Sequence, residues 1–276
     1  MANLNDKQTL DQNKTATRIA DGLSVMLGAS YASETLGQDT KSTDRYERLS
    51  ARIAAVESRR QGNIEAVAQA AFDASSELAD EQPNSDVDSD WLARFIDLAQ
   101  DIGNGEMQQV WGHLLAQECT APGTVSYQLL DILSSMVSSD LDLLENAGRI
   151  RFPTGYLLKI GGRNEFVDFG IDENDISRLQ SLNLVRASDD LSVTFYAPTK
   201  GITFDFKGCD LIVRHPTSQM FILPAFQLTP TGQEMMGLLA DVPADMAYLS
   251  ALGQDMRTQG YDYRVRDGQG ALIEHV

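Results

Sequence analysis

The chain has few of the residues that most metal proteins and many enzymes depend on. Histidine occurs three times and cysteine twice in 276 residues. His113, His215 and His275 are scattered with no i, i+4 pair, and Cys119 and Cys209 form no CxxC, so no zinc clamp and no disulfide framework can be read. Basic residues are also few, 22 against 40 acids, for a formal net charge of −18. Nucleic-acid affinity comes from basic side chains displacing counterions from phosphate, so this balance disfavours a polyanionic partner. Long apolar runs are missing too. The most apolar N-terminal segment, Ile19 to Ala32, is shorter than the roughly 20 residues a membrane span needs and contains Asp21. The opening MANLNDKQTL lacks the basic start and apolar run of a secretory signal. These absences point to a cytoplasmic protein with reduced thiols, no membrane span, no cofactor and no metal.

Glycine-bearing stretches exist, but GNGEMQ and KIGGRNE have neither P-loop nor dinucleotide spacing and read as turns. The acidic DENDIS at Asp172 to Ser177 lacks the central glycine and final glutamate of a calcium loop. It reads instead as a helix start whose carboxylates oppose the positive end of the dipole. Carboxylates such as Asp189, Asp190 and Asp241 are too numerous for their pairing to signify acid–base chemistry.

What is present is apolar periodicity, with 42% apolar residues. A first helix is expected from Thr15 to Leu36. A long helix is expected over 42–79, where Tyr46, Leu49, Ile53 and Val56, then Ile64, Val67 and Ala71, recur at three- and four-residue spacing. That stripe needs a partner. Residues 81–89 form an acidic linker, and 90–148 read as four short amphipathic helices, a bundle. Asp90 caps the first, which buries Trp91, Leu92, Phe95, Ile96 and Ala99, and the second carries Met107, Val110, Trp111, Leu114 and Leu115. The third starts at Ser126 and turns Leu129, Leu130, Leu133 and Val137 inward, and the fourth starts at Ser139. From 149 to 276 the texture becomes β-rich, with helices at Asp172–Val185, after Thr229 and over Pro243–Thr258, and a closing hairpin turning at Asp267-Gly268. The fold class is α+β: an N-terminal helical bundle with a long helix, then a winged-helix-like α/β domain with an extended β-wing.

Three segments carry a resemblance: the DW-x-x-F element at Asp90, Trp91 and Phe95; a Q-x-x-W-G-x-L-L-A-x-E helix at Gln108, Trp111, Gly112, Leu114, Leu115, Ala116 and Glu118; and P-G-x-x-S at Pro122, Gly123 and Ser126. With the upstream Arg60, Asn63, Ile64 and Glu65, they resemble the hallmark of an uncharacterised bacterial family, domain-of-unknown-function family 2806. The resemblance implies no catalytic activity or ligand. Loosely similar bacterial proteins are associated with abortive infection, so it implies at most a link to phage defence. Where this family pattern would accept arginine or lysine the chain has His113, and the β-region from Leu191 to Phe226 is long for a simple wing.

The cluster of His113, Glu118 and Cys119 looks catalytic on paper, but a helix turns about 100° per residue, so the three do not share a face. We read Trp91, Phe95, Gln108, Trp111, Gly112, Leu115, Glu118, Pro122 and Gly123 as structural, with Gly112 admitting a neighbouring helix, and no residue as catalytic. The expected function is a non-enzymatic interaction or regulatory protein that self-associates through the helix over 42–79 and has protein partners. An alternative is an acidic, atypical nucleic-acid-binding regulator using Arg178, Arg186, Lys207 and Arg214. A second alternative is an enzyme of unrecognised type with a pocket in the β-region.

Overall fold

A computed structural model of the chain describes residues 17–28, 45–75, 86–163, 166–188, 191–238 and 242–275. The continuation of the first helix to Leu36, the two ends of the 42–79 helix, the linker up to Ser85, and Asp189, Asp190 and Asp241 lie outside the described residues. Helix α1 (17–27) ends at Gly28, whose φ of +97° favours glycine; a Cβ there would stand 3.1 Å from that of Ala55. Helix α2 (Arg45–Ser75) is the long helix. The helical module follows as α3 (Ser89–Ala99), α4 (Gly105–Thr120), α5 (Tyr127–Ser134) and α6 (Ser138–Arg149).

Each helix start of the module is held by a side chain satisfying otherwise orphaned N–H groups. Asp88, rather than the expected Asp90, caps α3: its backbone is extended, and its carboxylate accepts from the N–H groups of Asp90 and Trp91. Asn104 caps α4 and Ser126 caps α5. At α6, Asp140 reaches back to the Val137 N–H at 2.8 Å. Val137 is therefore a helix start, 56% exposed, and not the inward residue its spacing suggests. The module's centre is aromatic: Trp91 stacks on Phe95 and Phe95 tilts against Trp111, both at 5.3 Å between centroids.

Beyond α6 the chain forms β1 (Arg151–Phe152), β2 (Tyr156–Leu158), α7 (Glu173–Ser181), β3 (Val185–Arg186), β4 (Ser192–Ala197), β5 (Ile202–Phe206), β6 (Cys209–Arg214), β7 (Gln219–Leu228), α8 (Pro230–Gly237), α9 (Met246–Thr258), β8 (Asp262–Asp267) and β9 (Leu272–His275). The strands make two antiparallel sheets. In one the order is β1-β2-β7-β3, with β4 also paired to β7; in the other it is β5-β6-β8-β9. The long insertion is thus not one wing. Strands β4 and β7 pair over six residues, but the β5-β6 hairpin between them leaves to pair with β8.

The reason lies in the side chains. Leu211 and Val213 of β6 and Tyr263 and Val265 of β8 alternate with less buried neighbours, giving this sheet a buried face of its own. Helix α9 covers it so closely that a Cβ on Gly253 would lie 2.3 Å from the Tyr263 ring. Phe152 joins the sheets, its ring 4.5 Å from that of Phe204 and 5.3 Å from that of Phe195. Tyr248 fastens α9 to β2: its buried hydroxyl donates to the Leu158 carbonyl and accepts from the Leu158 N–H. Burial pushes that phenol's pKa up. The fold is mixed α+β, a helical N-terminal part with a long helix followed by antiparallel sheets.

Candidate functional site

The hallmark residues assemble where α2 crosses α4. Gly112 makes the crossing possible: a Cβ there would lie 2.4 Å from the Ala70 Cβ and 2.8 Å from the Ala71 nitrogen. Trp111 and Leu114, on either side of it, are fully buried. Asn63 of α2, 8% exposed, donates to the Gln100 carbonyl at 2.8 Å and accepts from Gln108 Nε2 at 3.4 Å; Gln108 also donates to the Ile102 carbonyl. Arg60 grips Asp101 through Nε and a terminal nitrogen, both at 3.1 Å, and Arg59 adds a bond at 3.0 Å. Hydrogen bonding from Arg60 holds the Asp101 carboxyl below the usual carboxylate range. The upstream Arg60–Asn63 segment and the Gln108–Gly112 segment are therefore two sides of one junction.

Glu118 is 1% exposed and faces its own exit loop, accepting from the N–H groups of Gly123 at 2.6 Å and Val125 at 2.9 Å. Pro122 and Gly123, the latter at φ +86°, supply the turn that brings those N–H groups round. The loop is fixed further by the Trp91 indole donating to the Val125 carbonyl and by Glu234 accepting from the N–H and hydroxyl of Ser126. His113 and Cys119 are exposed while Glu118 points inward, so the three do not converge. Burial and the neighbouring Glu118 push the Cys119 thiol up, away from a reactive thiolate. Among the described residues no group of three His, Cys, Asp or Glu could hold a metal ion, and no helix is long and apolar enough to cross a membrane.

The same junction carries an apolar surface. Ile64, Val67 and Ala68 of α2, Leu92, Phe95, Ile96 and Ala99 of α3, and Leu115 of α4 line a groove of about 190 Å³. Toward the start of α2 the stripe continues with more exposed side chains, Tyr46 75%, Leu49 41% and Ile53 51% exposed. On a straight helix Tyr46, Ile53 and Ile64 fall within about 20° of one azimuth, so groove and stripe form one seam about 30 Å long.

The four candidate nucleic-acid contacts are dispersed. Arg178 is turned into the fold, its guanidinium donating to both oxygens of Asp140 on α6 at 2.8 and 2.7 Å. That contact lowers the Asp140 pKa and raises that of Arg178. Arg186 lies on β3, in the first sheet; Lys207 is exposed at the β5-β6 turn; Arg214 closes β6 and pairs with Asp262 at 3.1 Å. The sequence reading missed Asp140 and Glu234, whose partners lie 38 and 108 positions away, beyond any local pattern.

No curated protein and no solved structure matches the chain. A family model described as protein of unknown function (DUF2806) matches from the exposed turns of α2, through the helical module, to the first residue of β2. The match spans residues 47–156, so that part of the chain is similar to a family of unknown function.

Proposed function

We propose that the protein is a non-enzymatic interaction protein whose α2 seam pairs with the same seam of a second copy. The observation that carries this reading is the exposure of Tyr46, Leu49 and Ile53 in line with the apolar groove. Burying each such side chain is worth about 1.5–3 kcal/mol, and contiguous apolar surface of this kind marks association sites. The occupant is argued from charge. Arg45, Arg48 and Arg52 alternate with Glu47 and Glu57 beside the seam. A patch of mixed sign can oppose its own copy about a two-fold axis without like-charge repulsion. A place in phage defence rests on family resemblance alone and involves none of these residues.

Light scattering on the full chain is the test. The expected mass is that of two chains at about 100 µM, falling to one chain in a Leu49→Glu/Ile53→Glu variant with an unchanged circular dichroism spectrum. A wild type with the mass of one chain at that concentration overturns the proposal.

A further inference from the structure

We propose that the outward face of the β5-β6-β8 sheet binds a small anion bearing linked phosphates, seated among Lys200, Arg214, Arg264 and Arg266. Strand alternation puts the groups there. With Leu211, Val213, Tyr263 and Val265 buried, Ile212, Arg214, Asp262, Arg264 and Arg266 must face the other way. The register sets Ile212 opposite both Thr203 and Arg264, and Arg214 opposite Asp262. The Pro198–Gly201 turn delivers Lys200 to the same place. Its Gly201 is at φ +91°, and a Cβ there would stand 3.0 Å from Ile212 Cγ2, so the turn lies hard against the sheet. The result is a depression of about 270 Å³ lined by Lys200, Thr203, Ile212, Arg214, Asp262, Arg264 and Arg266.

Four cations and one carboxylate leave this lining at +3, in a chain whose formal charge is −18. Asp262 is already committed to Arg214. Lys200, Arg264 and Arg266 have no hydrogen-bond or ion-pair partner among the described residues, and the two arginines are half-buried. Asp205 and Asp210 share this face nearer the β5-β6 turn; Asp210 stands directly across the ladder from Arg266, but no ion pair forms between them. Cations in excess of the carboxylates beside them repel one another, and a bound anion relieves this. Guanidinium forks match phosphate oxygens bidentately, and a charge of +3 suits two or three linked phosphates. The acidic remainder of the chain repels a long polyanion at every further point of contact, which favours a small ligand over nucleic acid.

Isothermal titration of the full chain tests this with inorganic tripolyphosphate, ATP and duplex DNA. Tripolyphosphate is expected to bind with Kd below about 1 mM. Arg264→Gln/Arg266→Gln should weaken binding about tenfold or more, and Arg186→Gln on the other sheet should leave it unchanged. Asp262→Asn, which frees Arg214, should tighten it, a change of sign that damage to the fold cannot mimic. ATP matching tripolyphosphate means the site reads the phosphate chain, and ATP binding more tightly means it reads a nucleotide; both sustain the proposal. It is overturned if neither ligand binds at about 1 mM, if the double arginine variant binds as wild type does, or if only duplex DNA binds.

Discussion

The two halves of α2 have the same kind of sequence and opposite surroundings. From Asn63 to Ala74 the helix buries Asn63, Val67, Ala70 and Ala74 against the module, and Gly112 lets α4 come close enough to touch backbone. From Arg45 to about Glu57 the apolar residues are larger, Tyr46, Leu49 and Ile53, yet they stand in solvent among the described residues. The packed half uses small residues and accepts a helix; the exposed half uses larger ones that keep much of their surface exposed. Periodicity announces an apolar face, whereas residue size indicates what covers it. Close helix crossings need alanine and glycine, and large side chains reach for a surface farther away. Phe72, 74% exposed within the packed half, departs from this rule.

The contrast can be broken at graded points. Gly112→Ala should have the largest effect, about 2–3 kcal/mol lost in urea unfolding, because the added methyl meets the α2 backbone and not a flexible side chain. A loss below about 0.5 kcal/mol would mean that α2 is free to move away from α4. Asn63→Ala should cost about 1–2 kcal/mol by leaving the Gln100 carbonyl unpaired in a partly buried position. In the exposed half, Ile53→Ala measured in a monomeric background should change stability by less than about 0.5 kcal/mol. A larger loss would show that the seam is covered by the chain's own residues.

The smallest effect should be a pH dependence at the boundary between the halves. Asp101 is held below the usual carboxylate range by Arg60, so its contribution is fully present above the unfolded value near about 3.9. It is lost as pH falls through the lower folded value. Comparing urea midpoints of wild type and Asp101→Asn across pH should show an advantage for wild type at neutral pH that disappears in acid. Because Asp101 is about half exposed, that advantage is small and shrinks with salt.

Features decided within a few residues were legible in the sequence: the four short helices, the burial of Trp111, the role of Gly112, and the Thr229 cap with Pro230 in the first turn. The separation of His113, Glu118 and Cys119 followed from helix geometry alone. Glu118's partners were within reach as well, since a proline–glycine turn just after a helix returns free N–H groups to it. What could not be read was pairing over distance. Nothing local says that β2 will pair with β7 or β6 with β8, and so the sequence reads as one long wing where the fold has two sheets. Arg178 looked available because Asp140 belongs to a helix that the sequence places in another domain. Arg264 and Arg266 carried a readable signal, two arginines at i, i+2 on a strand, which sets both on one face. Their neighbours on β6 and in the Pro198–Gly201 turn appear only with the fold.

The contact of Gly112 with Ala70 and Ala71 also has a mechanical meaning. With only the Ala70 methyl at the crossing, α2 has little room to slide there, and the crossing acts as a fulcrum. Tyr46 lies 24 residues from Ala70, a lever arm of about 36 Å at the rise of an α-helix. A tilt of about 5° at the crossing moves Asn63 by about 1 Å and swings the free end by about 3 Å. The seam's outer end thus moves about three times as far as the hydrogen bonds of Asn63 for the same small rotation of α2 on the module.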